Sequence, residues 1–344
     1  MRPKINKKIR ISKHLHNILT NKKVSLPLHL SISDQILINN LQKIKIICDK
    51  EQILSLTALL SGCFQLTTEQ TQTLIYISEK AKQQSENILS DNPLSDNPLS
   101  DNPLSDNGSS GYGKLLARIK YLNISKENIL KTLQYVEFEI PLIIRIKPAA
   151  LNLLADDTHY RNQFETQTSG GTMNNVTRRR WENLMFNNIY DNASPFDRCK
   201  YGTFDTNYYN NKKYYSVAIS YGYSYFVLKP HMRSRTTCCY DDSSAVSNNP
   251  KLEFGTLKDF AHILAKFSDN ELMNIVSFVN KIPYNSTGES SYKELQFHGP
   301  IVIDRDVESL VVCGHDKRLL PKETIDKFDR RGIKIVYEKI EIVE

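Results

Sequence analysis

Apolar residues recur with a helical period in the first quarter of this chain. In residues 33–89, Leu37 and Leu41 share one face of a predicted helix that follows Ser33, a candidate cap. A second amphipathic stretch begins near Thr68 with the sequence TTEQTQTLIYISEKAKQQSENIL. This pattern predicts a helical amino-terminal module over residues 33–89.

The periodic pattern stops in residues 90–113, where the pentapeptide S-D-N-P-L repeats before a Gly/Ser run. Each proline lacks an amide donor and pushes the preceding asparagine toward an extended backbone, so neither a helix nor an interior strand is expected. A period of five residues is too short for the common solenoid repeats. We therefore expect a low-complexity linker here.

Segments with the helical period and segments with strand-like sequences alternate in residues 114–344. Residues 138–148 are rich in β-branched side chains, which is typical of a strand that enters a core. A helix is predicted near Trp181, and a helix from Pro321 followed by a strand from Ile333 closes the chain. The stretches NKKYYSVAISYGYSYFVLKPHM and YKELQFHGPIVI are predicted as strands, and TLKDFAHILAKFSDNELMNIVSFVNKI as a helix. The fold class is therefore α+β, with one mixed α+β domain behind the helical module and linker.

The formal charge of +7 is concentrated in a basic tail, residues 1–32. Such a tail attracts nucleic acid or an acidic partner, or is simply solvated. It lacks the apolar core of a secretory signal, and no run of about twenty apolar residues suggests a membrane span. We expect a soluble protein in a cytoplasm or one delivered into a host cytosol.

None of the six cysteines has the C-x-x-C spacing of a zinc site or a redox dithiol. No metal site is therefore predicted, and reduced thiols are expected. Cys238 and Cys239 are adjacent on an apparent strand, so their side chains are expected on opposite faces.

Polar side chains alternate in the stretch THYRNQFETQTSGGT. As a strand, this stretch places Arg161, Gln163 and Glu165 on one face, before a glycine-rich turn. Arg161 and the amides of the turn would hold a phosphate, while Gln163 and Glu165 would hold sugar hydroxyls. The alternative is a surface strand with a flexible turn. The turn consists of Ser169, Gly170 and Gly171.

The stretch YKELQFHGPIVI carries a second polar face. Glu294, Gln296 and His298 alternate with the apolar Leu295 and Phe297. A strand of this kind fixes an acid/base pair rigidly, with Glu294 and His298 as the candidates. The alternative is an edge strand that faces water.

A third stretch, HMRSRTTCCYDDSS, is also predicted as a strand. Arg233 and Arg235 would share one of its faces, and Thr236 and Thr237 follow. This pattern is compatible with two interpretations. The stretch either contacts a phosphate or substrate, or is merely a charged strand end.

Three arginines, Arg178 to Arg180, precede Trp181, the only tryptophan. Arginines beside a tryptophan suit stacking on a nucleic-acid base, although a run of arginines at the start of a helix is usually solvated. The stretch KYGTF, from Lys200, is predicted to lead into the same pocket.

Several short motifs follow one another over residues 140–340. They are Q-F-E-T at 163–166, S-G-G at 169–171, W-E at 181–182, Y-D at 190–191, K-Y-G at 200–202, R-T-T at 235–237 and E-x-Q-x-H-G-P at 294–300. In this order they resemble a bacterial family labelled as a domain of unknown function. Members carry an N-F-H-P-D-R-like stretch before Q-F-E-T, whereas this chain has Lys147 at the histidine position. The resemblance thus implies that activity in this chain is altered or weakened if that histidine is functional.

A remoter similarity lies in the order of three polar residues along the chain, which is similar to that of arginine-type mono-ADP-ribosyltransferases. In this chain the three are Arg161, Thr236 or Thr237, and Glu294. The similarity implies that the arginine holds the phosphates of NAD, that the middle strand braces the site, and that the glutamate binds a ribose hydroxyl to stabilise an oxocarbenium-like transition state. The E-x-E pair of many transferases is E-x-Q here, with Gln296, a substitution seen in that superfamily.

Three hypotheses of function follow from these features. The first is transfer of ADP-ribose from NAD to a macromolecule, expected to be a protein, or NAD hydrolysis, with Arg161, Glu294 and His298 as catalytic residues. The second is other nucleotide-dependent or metal-dependent transferase or hydrolase chemistry in the same pocket. The third is a non-enzymatic interaction module, in which Glu294→Ala leaves binding intact. Either enzyme would lose turnover in Glu294→Ala and Arg161→Ala. The richness in Lys, Asn and Ile, together with the pentapeptide repeat, resembles proteins of AT-rich intracellular bacteria. In such bacteria a domain of this kind would be an injected effector or a toxin.

Overall fold

A computed structural model describes residues 66–86, 111–168, 174–204, 218–248, 252–284 and 293–338. Clustering of contacts assigns Thr67–Glu344 to one compact unit. The predicted basic tail, the first part of the helical module and the S-D-N-P-L linker up to residue 110 lie outside the described residues, so the domain boundaries stay a prediction.

Eleven α-helices are described, several of them a single turn long. They are α1 (Thr68–Glu86), α2 (Gly111–Tyr121), α3 (Lys126–Phe138), α4 (Pro148–Leu154), α5 (Gln163–Thr166), α6 (Asn175–Met185), α7 (Ala261–Leu264), α8 (Asp269–Asn280), α9 (Ile303–Asp306), α10 (Gly314–Lys317) and α11 (Lys322–Arg330). Short 3-10 helices span Ile219–Tyr221, Pro230–Arg235 and Ser243–Ser247.

Ten strands accompany these helices in the described part of the chain. They are β1 (Ile143–Arg145), β2 (His159–Tyr160), β3 (Lys200–Thr203), β4 (Tyr225–Leu228), β5 (Thr236–Cys239), β6 (Phe254–Thr256), β7 (Glu294–Phe297), β8 (Ile301–Val302), β9 (Val307–Cys313) and β10 (Lys334–Glu338).

Eight of the strands form one mixed sheet, which confirms the α+β fold class. Their order is β10, β9, β4, β1, β3, β7, β5, β6, and β2 pairs with β8 in a separate ribbon. Only β9 and β10 run parallel among these pairs, and the helices α10 and α11 connect them. The predicted strands around β1, β7 and β10 are confirmed, as is the carboxy-terminal helix α11. Of the strand predicted over residues 211–232, the described part forms a strand only at β4, between the 3-10 helices Ile219–Tyr221 and Pro230–Arg235.

Both faces of the sheet are covered. Leu295 and Phe297 belong to the cluster that includes residues of α3 and α8, whereas Ile77 of α1 and Phe186 pack in a cluster on the other face. Cys238 and Cys239 fall into these two different clusters, which confirms that they point to opposite faces. Complete burial of a leucine or phenylalanine contributes roughly 1.5–3 kcal/mol, so both faces stabilise the sheet.

Residues 163–166 form the helical turn α5, and the predicted strand is therefore wrong beyond Tyr160. The Asn162 side chain accepts hydrogen bonds from the amides of Phe164 (2.9 Å) and Glu165 (3.1 Å). In return, the Glu165 carboxylate accepts from the Asn162 amide over 3.0 Å. This capping box satisfies the amides at the helix start, so the N-x-x-E spacing outweighs the strand-like alternation.

Two further local predictions are wrong. Arg233 and Arg235 lie in the 3-10 helix Pro230–Arg235 and not on a strand face, because Pro230 suits the first turn of a helix. The long helix predicted after Thr256 is two helices, α7 and α8, separated at Ser268. Ser268 caps α8 through a second capping box with Glu271.

Gly202→Ala is expected to destabilise the sheet. A Cβ at Gly202 would meet the Ile143 carbonyl oxygen and lie 2.6 Å from Phe297 Cε2, so β1 or β7 would have to shift. Overpacking of this kind costs typically about 1–3 kcal/mol. The matched control is Gly314→Ala, since its nearest neighbouring atom is 3.8 Å away. Urea unfolding of both variants checks this, and equal effects would contradict the close approach at Gly202.

Candidate functional site

The candidate site is built on one face of β7, in the interior of the sheet. β7 pairs with β3 and β5, so the alternative of an edge strand facing water is wrong. Glu294 is 2% exposed, and Gln296 and His298 are fully buried. Thr237 of β5 lies opposite Gln296 in the register. The polar face predicted from sequence is therefore present, but it is closed off from water.

Hydrogen bonds join these side chains into one chain of contacts. The Tyr190 hydroxyl lies 2.8 Å from His298 Nδ1, and His298 Nε2 lies 2.9 Å from Thr237 Oγ1. Thr237 Oγ1 donates to Gln296 Oε1 over 2.9 Å. Gln296 Nε2 donates to Glu294 Oε1, also over 2.9 Å. Four polar side chains thus lead inward to a single carboxylate.

The carboxylate sets the direction of every hydrogen bond in this chain. Ionised Glu294 can only accept, so Gln296 must turn its NH2 group toward Glu294 and its carbonyl oxygen toward Thr237. Thr237 has one hydroxyl proton, which it gives to Gln296, and it must therefore accept from His298 Nε2. The contacts thus assign the neutral Nε2–H tautomer to His298, with Nδ1 accepting from Tyr190.

His298 is held neutral by its surroundings. Burial, with the charges of Arg235 and Lys200, lowers the pKa of His298 to about 3. An imidazole that binds a proton only near pH 3 is a poor acid at neutral pH. The contacts therefore favour a positioning role for His298 over the predicted role of a nearby acid/base.

Glu294 combines deep burial with a full set of donors. The Ser243 hydroxyl donates to Glu294 Oε2 over 2.9 Å, and the Ser243 amide donates to the same oxygen over 3.3 Å. Burial raises the pKa of Glu294 to about 7, partly offset by the positive charge of Arg178 and assisted by the negative charge of Asp242. A carboxyl group that titrates near neutral pH is suited to proton transfer or to charge stabilisation.

Arg178 is the arginine that the structure places in this site. Its Nη1 donates to Ser243 Oγ over 3.0 Å, and its side chain is 8% exposed. The guanidinium lies 4.3 Å from the ring centroid of Tyr201 and 5.4 Å from that of Trp181. Although burial opposes it, nearby groups including Tyr201 and Glu294 raise the pKa of Arg178 above its usual value. The site therefore pairs a fixed cation with a titrating carboxylate.

Sequence reasoning missed Arg178 because it treated three adjacent arginines as one solvated run. In α6, Arg178, Glu182 and Met185 are buried, whereas Arg179 and Arg180 are exposed. These buried positions follow the helical period of i, i+4 and i+7. That spacing would have separated Arg178 from its neighbours.

Arg161, the predicted phosphate ligand, is engaged elsewhere. Its guanidinium donates to both oxygens of Asp157, over 2.5 and 3.1 Å, and Glu165 Oε1 lies 3.6 Å from Nη1. Its side chain is 43% exposed. Among the described residues, no contact joins Arg161 to Glu294, and the role of Arg161 as a phosphate ligand stays a prediction.

The other predicted ligands near Arg161 have local roles or lie outside the described residues. Glu165 closes the capping box of α5, and Gln163 is the first residue of that helix. The Ser-Gly-Gly turn at 169–171 lies outside the part of the chain that the structure describes. The predicted phosphate cradle around Arg161 therefore stays a prediction, without the strand on which it was based.

Arg235 and Thr236 form hydrogen bonds at the start of β5, next to the site. Arg235 donates to the His298 carbonyl oxygen over 2.7 Å and to Asp306 Oδ2 over 3.0 Å. Thr236 Oγ1 donates to the Met232 carbonyl oxygen over 2.7 Å. Burial lowers the pKa of Arg235 to about 10, while Asp306 opposes that shift. Arg235 therefore holds the chain at the end of β7 beside β5, whereas Thr236 holds the start of β5 to the preceding 3-10 helix.

Lys200 is fully buried and pairs with Phe297, on the apolar side of β7. Its Nζ donates to the carbonyl oxygens of Phe196 (2.5 Å) and Arg198 (3.1 Å). Burial lowers the pKa of Lys200 to about 8. The K-Y-G stretch forms β3, and Tyr201, which pairs with Gln296 on the polar face, reaches Glu182 and Arg178.

Two partly exposed residues connect the buried site with the surface. Negative charge on Asp242 acts on Glu294, and Tyr221 interacts electrostatically with Asp242, Arg178 and Glu294. Both Asp242 and Tyr221 are half-buried.

Two further features concern metal ligands and membrane spans in the residues that the structure describes. No group of three or more His, Cys, Asp or Glu side chains in these residues has the arrangement of a metal site. No helix among them is both long and apolar enough to cross a membrane.

Comparison with known proteins gives one family match. Residues 145–276 match a family model described as Protein of unknown function (DUF3626). The DUF3626 match agrees with the resemblance to an uncharacterised family seen in the motifs. It includes Arg178, Thr237 and Ser243 and ends before Glu294. No curated protein matches the chain.

Glu294→Gln is expected to remove a pH-dependent loss of stability. The pKa of Glu294 is about 7 in the folded state, above the ordinary value of 4.5, so the unfolded state releases this proton first as the pH rises. Wild-type stability therefore falls between pH 4.5 and 7, by on the order of 3 kcal/mol.

Denaturant unfolding of both proteins at pH 4.5 and pH 8 checks this expectation. Relative to the wild type, Glu294→Gln should be more stable at the higher pH than at the lower one. If the two proteins differed in unfolding free energy by the same amount at pH 4.5 and at pH 8, the raised pKa assigned to Glu294 would be wrong.

Proposed function

We propose that this chain is an NAD-cleaving enzyme of the ADP-ribosyltransferase type, which transfers ADP-ribose to a macromolecular acceptor or to water. The observation that carries the proposal is the Glu294 carboxylate, held by Gln296 on its own strand and through Gln296 by Thr237 on the neighbouring strand. A strand with the E-x-Q motif, hydrogen-bonded to a threonine on the next strand, fits the order of residues that the sequence shares with the transferases.

In this proposal Arg178 replaces Arg161 as the ligand of the NAD phosphates. Arg178 reaches Glu294 through one shared partner, the Ser243 hydroxyl. A guanidinium with a fixed orientation between two aromatic rings is well suited to a pyrophosphate. The ring of Trp181 or Tyr201 adds a surface on which a planar ring of NAD can stack.

Glu294 acts on the ribose in this proposal. A ribose hydroxyl takes the place of the Ser243 hydroxyl at Glu294 Oε2, so the ionised carboxylate stabilises positive charge that develops at the sugar carbon. The bond between that carbon and the nicotinamide nitrogen breaks, and nicotinamide leaves with the electron pair. Water or an acceptor nucleophile then forms the new bond and releases its proton to solvent.

The hydrogen-bond chain gives this carboxylate a fixed position. Tyr190, His298 and Thr237 orient Gln296, and Gln296 orients Glu294. Fixed dipoles directed at the reacting charge need no reorganisation during the reaction. The assignment as a bacterial effector or toxin and the location in a host cytosol stay predictions from composition.

NAD cleavage should increase with pH and level off above about 7. The ionised form of Glu294 is the active one, and burial raises the pKa of Glu294 to about 7. Nicotinamide release measured from pH 5 to pH 9 checks this expectation. A rate that falls through this range would count against a carboxylate as the active form.

Glu294→Gln is expected to lower kcat by about 100-fold or more, since one group that stabilises transition-state charge is lost. Arg178→Gln should mainly raise the KM for NAD, about tenfold or more, because it removes a charged hydrogen-bond donor. Arg179→Gln is the matched control, since Arg179 is exposed on the same helix. Labelled NAD, with and without a cell lysate, reports both nicotinamide release and transfer.

Three outcomes would separate the hypotheses. Loss of activity in Arg161→Ala with full activity in Arg178→Gln would return the phosphate site to Arg161. Nucleotide turnover that requires an added divalent metal would favour the second hypothesis. Absence of both nicotinamide release and NAD binding would leave the interaction module.

A further inference from the structure

A separate cavity of about 490 Å³ opens beside the amino end of α4. It has the size of ordinary small-molecule sites, and none of its lining residues belongs to the Glu294 site. Apolar side chains make up part of its wall, and a lysine, a histidine and an asparagine face it. The lining residues are Lys147, Pro148, Ala149, Asn152, Gly222, Tyr223, His315, Asp316 and Leu319.

Close backbone contacts lie under this cavity. Gly222 has a φ of 133°, and a Cβ there would lie 2.7 Å from the Lys147 amide nitrogen, so the two backbone segments are in close contact. Arg145 Nη1 donates to the Tyr223 carbonyl oxygen over 3.0 Å. These contacts hold the backbone around Gly222 against residues 145–147.

An ordered histidine forms one wall. Asp316 is 2% exposed, and its Oδ2 accepts from the Ser224 amide over 2.8 Å. Its Oδ1 lies 3.3 Å from His315 Nδ1. The His315 ring lies 4.4 Å from that of Tyr223. Because Asp316 engages Nδ1, Nε2 is the ring nitrogen left to contact a ligand hydroxyl.

Two donors complete the lining. Lys147 is exposed, and within the described part of the chain its ammonium has no ion-pair partner. Asn152 Oδ1 accepts from Thr324 Oγ1 over 2.8 Å, which leaves the NH2 group of Asn152 to donate. Both oxygens of Asp316 are already engaged, so the available groups favour an anion.

We propose that this cavity binds a mononucleotide-like ligand, in which a phosphate monoester is joined through a hydroxylated sugar to a planar ring. Lys147 and the Asn152 amide bind the phosphate, as a compact ammonium commonly does. His315 Nε2 accepts from a sugar hydroxyl. Tyr223, Pro148 and Leu319 contact the planar ring. This proposal is independent of NAD cleavage at Glu294.

Titration of the full chain with AMP by calorimetry tests the proposal, with adenosine and inorganic phosphate as separate probes. We expect AMP to bind with a Kd below about 1 mM. Phosphate should compete with AMP, and adenosine should bind more weakly than AMP. Lys147→Gln and His315→Ala should each weaken AMP binding at least about fivefold, since a charged hydrogen bond contributes about 1.5–3 kcal/mol and a neutral one about 1 kcal/mol.

The matched control is Lys317→Gln, because Lys317 is exposed on the same short helix as His315, lies over the Tyr337 ring and does not line the cavity. It should leave AMP affinity unchanged. Two results would overturn the proposal. One is a Kd for AMP above about 1 mM. The other is AMP binding that is lost in Arg178→Gln but retained in Lys147→Gln, since this would place the nucleotide at the Glu294 site.

Discussion

Burial of one carboxylate inside the sheet is the constraint on which the site depends. An ionised carboxylate taken out of water costs several kcal/mol unless donors replace the lost hydration. Glu294 receives those donors from Gln296 and from Ser243. The remaining imbalance raises the pKa of Glu294 to about 7. The same burial that costs stability therefore supplies a group that titrates at neutral pH.

The requirement for donors extends outward through the fold. Gln296 can donate to the carboxylate only when its carbonyl oxygen has a partner, and the register between β5 and β7 supplies Thr237. Thr237 in turn requires the Nε2–H tautomer of His298, which Tyr190 supports at the other ring nitrogen, Nδ1. A shift of one residue in this register would turn the polar face of β7 into the apolar cluster beyond it.

The sequence was sufficient for the fold class and for the polar face of β7, since strict alternation over Glu294, Gln296 and His298 specifies a strand with one polar side. It was insufficient for burial, because alternation does not tell whether a second layer covers the polar side. Here α1 and α6 supply that layer. Only the tertiary fold shows this.

Short sequence patterns also pointed to different local structures. The alternation around Arg161 resembled a strand, yet a capping box at Asn162 turned the chain into a helix. Arg178 was hidden in a basic run, although its helical spacing to Glu182 marks it as buried. The first error came from the wrong choice of period over a few residues, where strand and helix patterns are hard to distinguish. The second came from treating three adjacent arginines of a correctly predicted helix as one solvated run.

Titration of the glutamate side-chain carboxyl carbons by NMR would test this account most directly. It predicts one glutamate with a midpoint near pH 7, which is absent from the spectrum of Glu294→Gln and shifts to higher pH in Arg178→Gln. If every glutamate titrated near its ordinary value of about 4.3, the carboxylate at the centre of this site would be an ordinary one, and the account would be wrong.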